Sequence, residues 1–361
     1  MKGPFTILVV NPGSTSTKMG VFVDGVEKAV KKVQHPGSEI DRFPRILDQY
    51  QMRRHVMLNF LKEQGIEPKT LSAVVARGGL VRPVSSGTFH VTHRMIEDLM
   101  ESRYGDHASN IGAILAHGFE WDYQVPSYVV DPVVVDEMMD VARLSGLKEI
   151  PRRSLWHALN IMAVTRGVCQ KEGWDFRQEN FVAVHIGGGI SVTAIQRGRC
   201  IDVSNGLESG PFTPERAGTL PSLELVKLCY SGKYKLDEMK KFIVGRGGLV
   251  NYLGTSDLIE VEERIAQGDD YAKMVFVGMA YQIGKEIGSY CVVLKGKVRG
   301  ILLTGGGAKS AELVALIREY VDSFAPVIVV PGEDELAALA QGCLRVLRGE
   351  EKSLDYDSFP P

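Results

Sequence analysis

The sequence predicts an α/β protein built from two related domains, and three observations carry that reading. Its 361 residues are enough for two domains of ordinary size. Short apolar runs alternate with longer segments of helical periodicity, the pattern of sheets covered by helices. The opening segment FTILVVNPGSTSTKMGVFVDG also recurs in plan about 175 residues later as NFVAVHIGGGISVTAIQRGRC. Each copy reads strand, polar glycine turn, strand, tight turn. A period this long is not that of a solenoid; it marks two domains, each opening on a hairpin whose turn can face a common cleft.

Taken in order, residues 5–10 form a fully apolar strand, NPGSTSTK a polar turn, 19–23 a second strand and Asp24-Gly25 a two-residue hairpin turn. Residues 42–64 have helical periodicity and stop at Gly65. An apolar strand over 72–76 runs into Arg77-Gly78-Gly79. Residues 107–119 read as a helix, 127–130 as a strand, 133–142 as a helix and 154–171 as a long helix entering the second half. His90 and His93 read as surface strand residues. In the second half, 181–184 is a strand, His185-Ile186-Gly187-Gly188-Gly189 a turn, 190–196 a strand and Arg197-Gly198 a tight turn. Helical patterns cover 220–229, 236–244, 257–267 and 269–294. A strand over 300–304 ends in Gly305-Gly306-Gly307 and opens a helix near Ala308; 327–330 is a strand and 335–348 a closing helix. The tail SLDYDSFPP, polar with two prolines, is expected to be loosely held. No charge run or low-complexity linker separates the halves. The expected domains are 1–152 with 337–361, and 153–336.

Composition narrows the function. Apolar residues make up 44% and charged residues 24%, as in globular proteins, and the formal charge of −2 gives no electrostatic case for nucleic acid or membrane partners. The five cysteines are scattered, with no C-x-x-C pair, which predicts buried free thiols and a reducing, cytoplasmic setting. The N-terminal apolar run is too short for a signal-peptide core, and no run of about 18 apolar residues is present to span a membrane.

Three glycine-rich turns each follow an apolar strand. Glycine lets backbone N–H groups approach an anion, so each turn is a candidate phosphate cradle. NPGSTSTK adds hydroxyls and Lys18, HIGGG adds an imidazole, and LLTGGGA can hold a ribose or phosphate at a helix N-terminus. There is no G-x-x-x-x-G-K-[ST], no G-x-G-x-x-G opening a βαβ unit, and no HRD or DFG set. Walker-type NTPases, dinucleotide folds and protein kinases are therefore not indicated.

N-x-G-S-x-S-x-K, a His followed by Asn-Ile, a V-D strand end, H-x-G-G-G, F-T-P…R-x-G and T-G-G-G-A occur in the order seen in acetate and butyrate kinases. The chain resembles this acetokinase family over nearly its whole length. The forms V-A-R-G-G, H-I-G-G-G, P-E-R-A-G-T-L-P and P-G-E-D-E-L are similar to the butyrate kinase branch. The resemblance implies two actin-like (ribonuclease H-like) domains with a duplicated core and an ATP cleft between them. It also implies ATP/ADP and Mg²⁺ as cofactors, a short-chain carboxylate or acyl phosphate as small-molecule partner, and a homodimer or higher homo-oligomer.

Residue by residue, the resemblance places Asn11, Ser14 and Lys18 in the first phosphate motif and His185, Gly187, Gly188 and Gly189 in the second. It matches His107 to the family histidine, Asp131 to the acid at a strand end, Arg216 to the R-x-G arginine, Gly305, Gly306 and Gly307 to the adenosine motif, and Glu335 to the glutamate linked to Mg²⁺, with Asn11 beside it. Ala76 and Pro214 fall at the acyl pocket. Two departures stand out. The arginine of the V-V-H-G-G region is Arg77, directly before Gly78, and the F-H-G-T-S-H stretch is replaced by residues 152–157, with the first histidine falling on Arg153 and the second on His157.

The chemistry can be argued beside the resemblance. A carboxylate is already ionised at pH 7 and needs no general base. The difficulty is bringing an anion to an anionic phosphate, so positioning and positive charge must do the work. Arg77 and Arg216 are the clamp candidates, with His185 donating to the phosphoryl oxygens, Asp131 orienting an arginine and Glu335 holding Mg²⁺ through water. Plainer readings stand beside these. Asp131 precedes Pro132 and can simply cap the next helix. His157 reads as a mid-helix packing residue, His107 as a helix-terminal residue, and Glu335 as a first-turn acid favoured by the helix dipole. A phosphatase of the same fold and an actin-like ATPase module are the rivals from other classes.

Overall fold

A computed structural model describes residues 3–360. The chain divides into two compact units, one comprising residues up to Val135 with those from Asp334 onward, the other Asp136–Glu333. The division falls earlier than the expected 152/153 boundary because the intervening segment is tied to the second unit. The Met139 N–H donates to the Ile201 carbonyl, Glu137 accepts from the Cys200 N–H, and Arg152 donates to the Val203 carbonyl.

The first unit holds six strands: β1 (Thr6–Pro12), β2 (Ser16–Val23), β3 (Val26–Gln34), β4 (Ala73–Arg77), β5 (Thr88–His90) and β6 (Ser127–Val130). Their order is β3-β2-β1-β4-β6-β5, with β1, β4 and β6 parallel and the remaining neighbours antiparallel. The apolar runs in β1 and β4 suit central strands covered on both faces. β3 was not foreseen. Its sequence VEKAVKKVQ is lysine-rich, which fits an edge strand whose outer face is solvated. Helices Tyr50–Glu63 and Asn110–Tyr123 bury Met57, Phe60, Ile111 and Leu115 against Leu8, Val10, Val74 and Ala76. Helix Glu335–Leu347 packs on β1, β4 and β6.

The second unit holds β7 (Asn180–Ile186), β8 (Ile190–Gln196), β9 (Arg199–Val203), β10 (Gly300–Gly305) and β11 (Val327–Pro331), ordered β11-β10-β7-β8-β9. Helices Asp270–Val293 and Ala311–Val321 supply Phe276, Met279, Ile283, Leu313 and Ile317 to its core. Reading β9-β8-β7-β10-β11 against β3-β2-β1-β4-β6 gives the same order and the same strand directions. The duplication extends to detail. Both hairpin turns place two residues at positive φ, Asp24-Gly25 and Arg197-Gly198, and both hairpins break register two residue pairs before the turn, at Val21/Phe22 and Ala194/Ile195.

Four expectations are corrected. Residues 133–142 are not a helix: Pro132 and three β-branched valines favour extended chain, Val135 bridges to Val84, and only Asp140–Arg143 makes a helical turn. His93 is not on a strand but opens helix His93–Met100, capped by Thr92. Cys229 is exposed, whereas the other four thiols are buried. The tail is anchored. Tyr356 is fully buried, its hydroxyl donates to Asp98 at 2.8 Å and accepts from the Arg82 N–H, and Arg82 also donates to the Phe359 carbonyl. Leu354 and Phe359 pack into the same core beside it, and the Leu354 N–H donates to the Thr88 carbonyl, so the apolar residues of the tail fix it despite its polar composition.

Candidate active site

In the first unit the parallel strands β1 and β4 end side by side, the usual position for a site in such sheets. The turn after β1 and the end of β4 open onto a cleft of about 640 Å³. Asn11, Ser14, Lys18, Arg77, His107 and Glu335 all line it. Strand register explains part of this gathering. Asn11 pairs with Lys18 across the hairpin, and Arg77 follows Ala76, which pairs with Val10. Arg77 Nη1 lies 2.6 Å from Glu335 Oε1, and Asn11 Nδ2 donates to the other Glu335 oxygen. Glu335 thus spans the two strand ends from the first turn of its helix. His107 Nδ1 accepts from the Ser109 N–H at 3.2 Å and lies 2.7 Å from its hydroxyl, which leaves Nε2 as the protonated nitrogen. Burial, followed by the charge of Arg77, lowers the His107 pKa, so the neutral donor form is favoured.

Two expected residues lie elsewhere in this unit. Ala76 is fully buried among Leu8, Val10, Val74 and Leu115, on the face of β4 opposite its neighbour Arg77, so it packs the core and does not line the cleft. Asp131 adopts φ 39° and accepts from the Ser86 hydroxyl at 2.6 Å and the Gly87 N–H at 2.7 Å. It braces the entry to β5. The helix it was expected to cap does not form.

In the second unit a stacked imidazole pair lies at the end of β7. His185, 1% exposed, shares a hydrogen bond between Nδ1 and Asn160 Oδ1 at 2.8 Å, and its Nε2 lies 3.3 Å from Glu333. His157 stacks on His185 with centroids 3.9 Å apart, and its Nδ1 lies 2.9 Å from the Ser191 hydroxyl. His157 is therefore not mid-helix. It is the N-cap residue of helix Ala158–Glu172, three positions before Asn160, so both reach the turn from one helix end. The H-A-L-N spacing could have signalled this pairing, but a helix expected from residue 154 concealed it.

The glycines of this turn have a steric cause. A Cβ on Gly189 would meet the Arg216 guanidinium at 2.2 Å, and one on Gly188 would meet Glu215 at 3.0 Å. Arg216 also donates to the Gly206 carbonyl, and burial lowers its pKa. The loop carrying it hooks onto the turn, since the Thr213 hydroxyl donates to the Gly188 carbonyl at 2.6 Å and accepts from the Arg216 N–H. Pro214, within that loop, is buried. Gly305 and Gly307 pack against Ile186, where a Cβ would fall 2.3 and 2.5 Å from its nearest atoms. Gly306 alone is exposed with open space where a side chain would be. The second and third glycine motifs are thus one packed unit.

Among the described residues no group of three or more His, Cys, Asp or Glu side chains converges to hold a metal, and no helix is long and apolar enough to cross a membrane.

Residues 151–328 match the acetate kinase model of the acetokinase family. The structure is similar to that of Porphyromonas gingivalis acetate kinase, with TM-score 0.78 and 20% identity over 95% of this chain and 100% of that one. A propionate kinase from Francisella tularensis gives TM-score 0.72 and 19% identity over 94% and 98%. Acetate kinase from Entamoeba histolytica gives 0.72 and 17% over 93% and 98%. At these identities the likeness shows the fold, an actin-like duplicated α/β core in two domains.

Proposed function

We propose that this chain is a carboxylate kinase, transferring a phosphoryl group reversibly between ATP and a short-chain acid, with butyrate preferred. The observation that carries the reading is the first-unit cleft, where Lys18, Arg77, Asn11 and the His107 Nε2–H face one space. Such a set suits an anion approaching an anion. The carboxylate oxygen attacks the γ-phosphorus, the bond to the bridging oxygen breaks, and ADP leaves with the electron pair; no proton has to be removed. Arg77 gives charge and bidentate geometry for the acid or the phosphoryl group, and Glu335 holds it in place. In the second unit Arg216 and His157 offer further donors for the phosphoryl oxygens, with the buried His185 ring stacked on His157 and held by Asn160 as its support, and exposed Gly306 leaves room for a nucleotide to approach the backbone.

Magnesium fits this donor set as a companion of the nucleotide. Glu335 and Asn11 offer one carboxylate and one amide, and Mg²⁺ is commonly held by one or two carboxylates, substrate phosphates and its own waters. When bound it would neutralise charge on the phosphate oxygens. The family match over 151–328 supports the same reading. The preference for butyrate rests on the motif forms alone, since Ala76 lies in the core. The similar structures are those of an acetate kinase and a propionate kinase, which favours a second reading in which the acid is shorter. A cytoplasmic homodimer or higher oligomer belongs to the same proposal.

The test is direct. The protein is incubated with ATP, Mg²⁺, hydroxylamine and a panel of two- to five-carbon acids. Hydroxamate with butyrate at least about tenfold above acetate in kcat/KM is expected, since one methylene gives about 1–3 kcal/mol of discrimination. Phosphate release without acid would instead assign a hydrolase or ATPase.

A further inference from the structure

The turn after β1 is held from behind by an arginine that the cleft does not expose. Arg53, on helix Tyr50–Glu63, is fully buried. Its guanidinium donates to three carbonyls of the turn: Gly13 at 2.8 Å, Ser14 at 3.2 Å and Ser16 at 2.9 Å. It also donates to the Thr17 hydroxyl at 3.0 Å and twice to Gln49 Oε1, at 3.0 and 2.8 Å. The one remaining carbonyl of the turn, that of Thr15, accepts from the His35 N–H at 2.8 Å.

Two physical consequences follow. In a trans peptide the C=O and the next N–H point in opposite directions. Fixing the carbonyls of Gly13, Ser14 and Thr15 inward therefore turns the N–H groups of Ser14, Thr15 and Ser16 outward, on the side where Ser14 and Thr15 are exposed. Successive N–H groups aimed one way form an anion cradle. Secondly, every acceptor on Arg53 is neutral, and no carboxylate among the described residues pairs with it. Burial pushes its pKa down to about 10, so it stays charged at neutral pH. A fold seldom buries a charge without a counter-ion.

We infer that Arg53 is a positioning residue for oxyanion binding. It presets the N–H groups of the first turn and supplies a buried positive charge that an incoming phosphate neutralises. The inference deepens the kinase reading and rests on it.

Arg53→Met and Arg53→Lys test it, with inorganic pyrophosphate as probe. Wild-type protein is expected to unfold at a higher temperature when pyrophosphate is present. Arg53→Met should keep its circular dichroism and lose most of that rise, whereas Arg53→Lys, which keeps the charge, should retain part of it. In both, kcat/KM for MgATP should fall at least about tenfold. A purely structural arginine would lower the baseline midpoint and leave the pyrophosphate rise intact, which overturns the inference. So would kcat/KM within twofold of wild type, absence of the rise in wild type, or loss of folding in both variants. Failure of the kinase reading is separately visible, because none of the acids would then yield hydroxamate while the pyrophosphate rise is still measured.

Discussion

The turns after β1 and β7 share a backbone plan and are stabilised from opposite directions. In the first unit the cation sits behind the turn: Arg53 draws the carbonyls inward, and the exposed side is left to Ser14, Thr15 and the cleft. In the second unit the cation lies over the turn, with the Arg216 guanidinium filling the place a Gly189 side chain would take. Ordinary residues therefore suffice in NPGSTSTK, whereas HIGGG needs glycine. A glycine run after a strand can thus mark where a protein side chain approaches the backbone, as well as where a ligand does.

The largest expected effect breaks the second arrangement. Arg216→Ala should lower kcat by about 10²–10³ while the KM for ATP changes much less, the signature of a donor used mainly in the transition state. Steady-state kinetics decide it, and activity within twofold of wild type would remove Arg216 from the mechanism.

The next contrast compares the glycines. Gly189→Ala puts a methyl into the guanidinium, so activity should fall at least about tenfold with the fold retained. At Gly13 a Cβ meets only Ser16 atoms at 3.4 and 3.6 Å, ordinary contacts, so Gly13→Ala should stay within about twofold. Equal losses in the two variants would erase the contrast between the two turns.

Ala76→Val asks whether the wall of the first site lies where its motif suggests. With Ala76 in the core, the added methyl groups should cost about 1–3 kcal/mol of stability by overpacking. The ratio of kcat/KM between acids should not change. Urea titration and the acid panel read the two quantities separately.

The smallest effect concerns pH. His35 Nε2 lies 2.8 Å from the Thr17 hydroxyl, which itself accepts from Arg53. The hydroxyl proton is thus free for His35, making the ring a neutral acceptor. Its pKa is lowered from 6.5, first by burial and then by Arg53. Below about pH 6.5 the unfolded chain takes up a proton that the folded chain refuses, so this stabilisation is present above that pH and is lost as pH falls through the folded value. Burial lowers His107 and His117 in the same direction. The urea midpoint should therefore decline between about pH 7.5 and 5.5, and less steeply in His35→Gln.

Strands and long helices were legible because their period is local. β6 and β8 fall on the expected residues, and the duplicated hairpin could be read from two short segments. β3 and β9 were missed since edge strands carry charge and little apolar signal. In the site, residues placed by a motif next to a strand end, such as Asn11, Lys18 and Arg77, do meet in one cleft. Residues acting across the fold left no such trace. Arg53 is one polar position in an amphipathic helix, and nothing in its neighbours announces that three carbonyls some forty residues earlier converge on it. Ala76 was misplaced for a related reason: a motif fixes a position along the chain, but strand alternation decides which face it serves.

The discontinuity of the first unit has a consequence for synthesis. Its sheet is complete in sequence once Val130 has been made, yet helix Glu335–Leu347, which covers β1, β4 and β6, and Tyr356, which fills the pocket beside Asp98, come last. At ribosomal rates of about 5–20 residues per second, the sheet waits on the order of ten seconds or more with one face uncovered. The second unit is continuous, so it can close while the first is still waiting. A nascent chain halted before residue 334 should then yield a protease-resistant second unit beside a first unit that chaperones must shield.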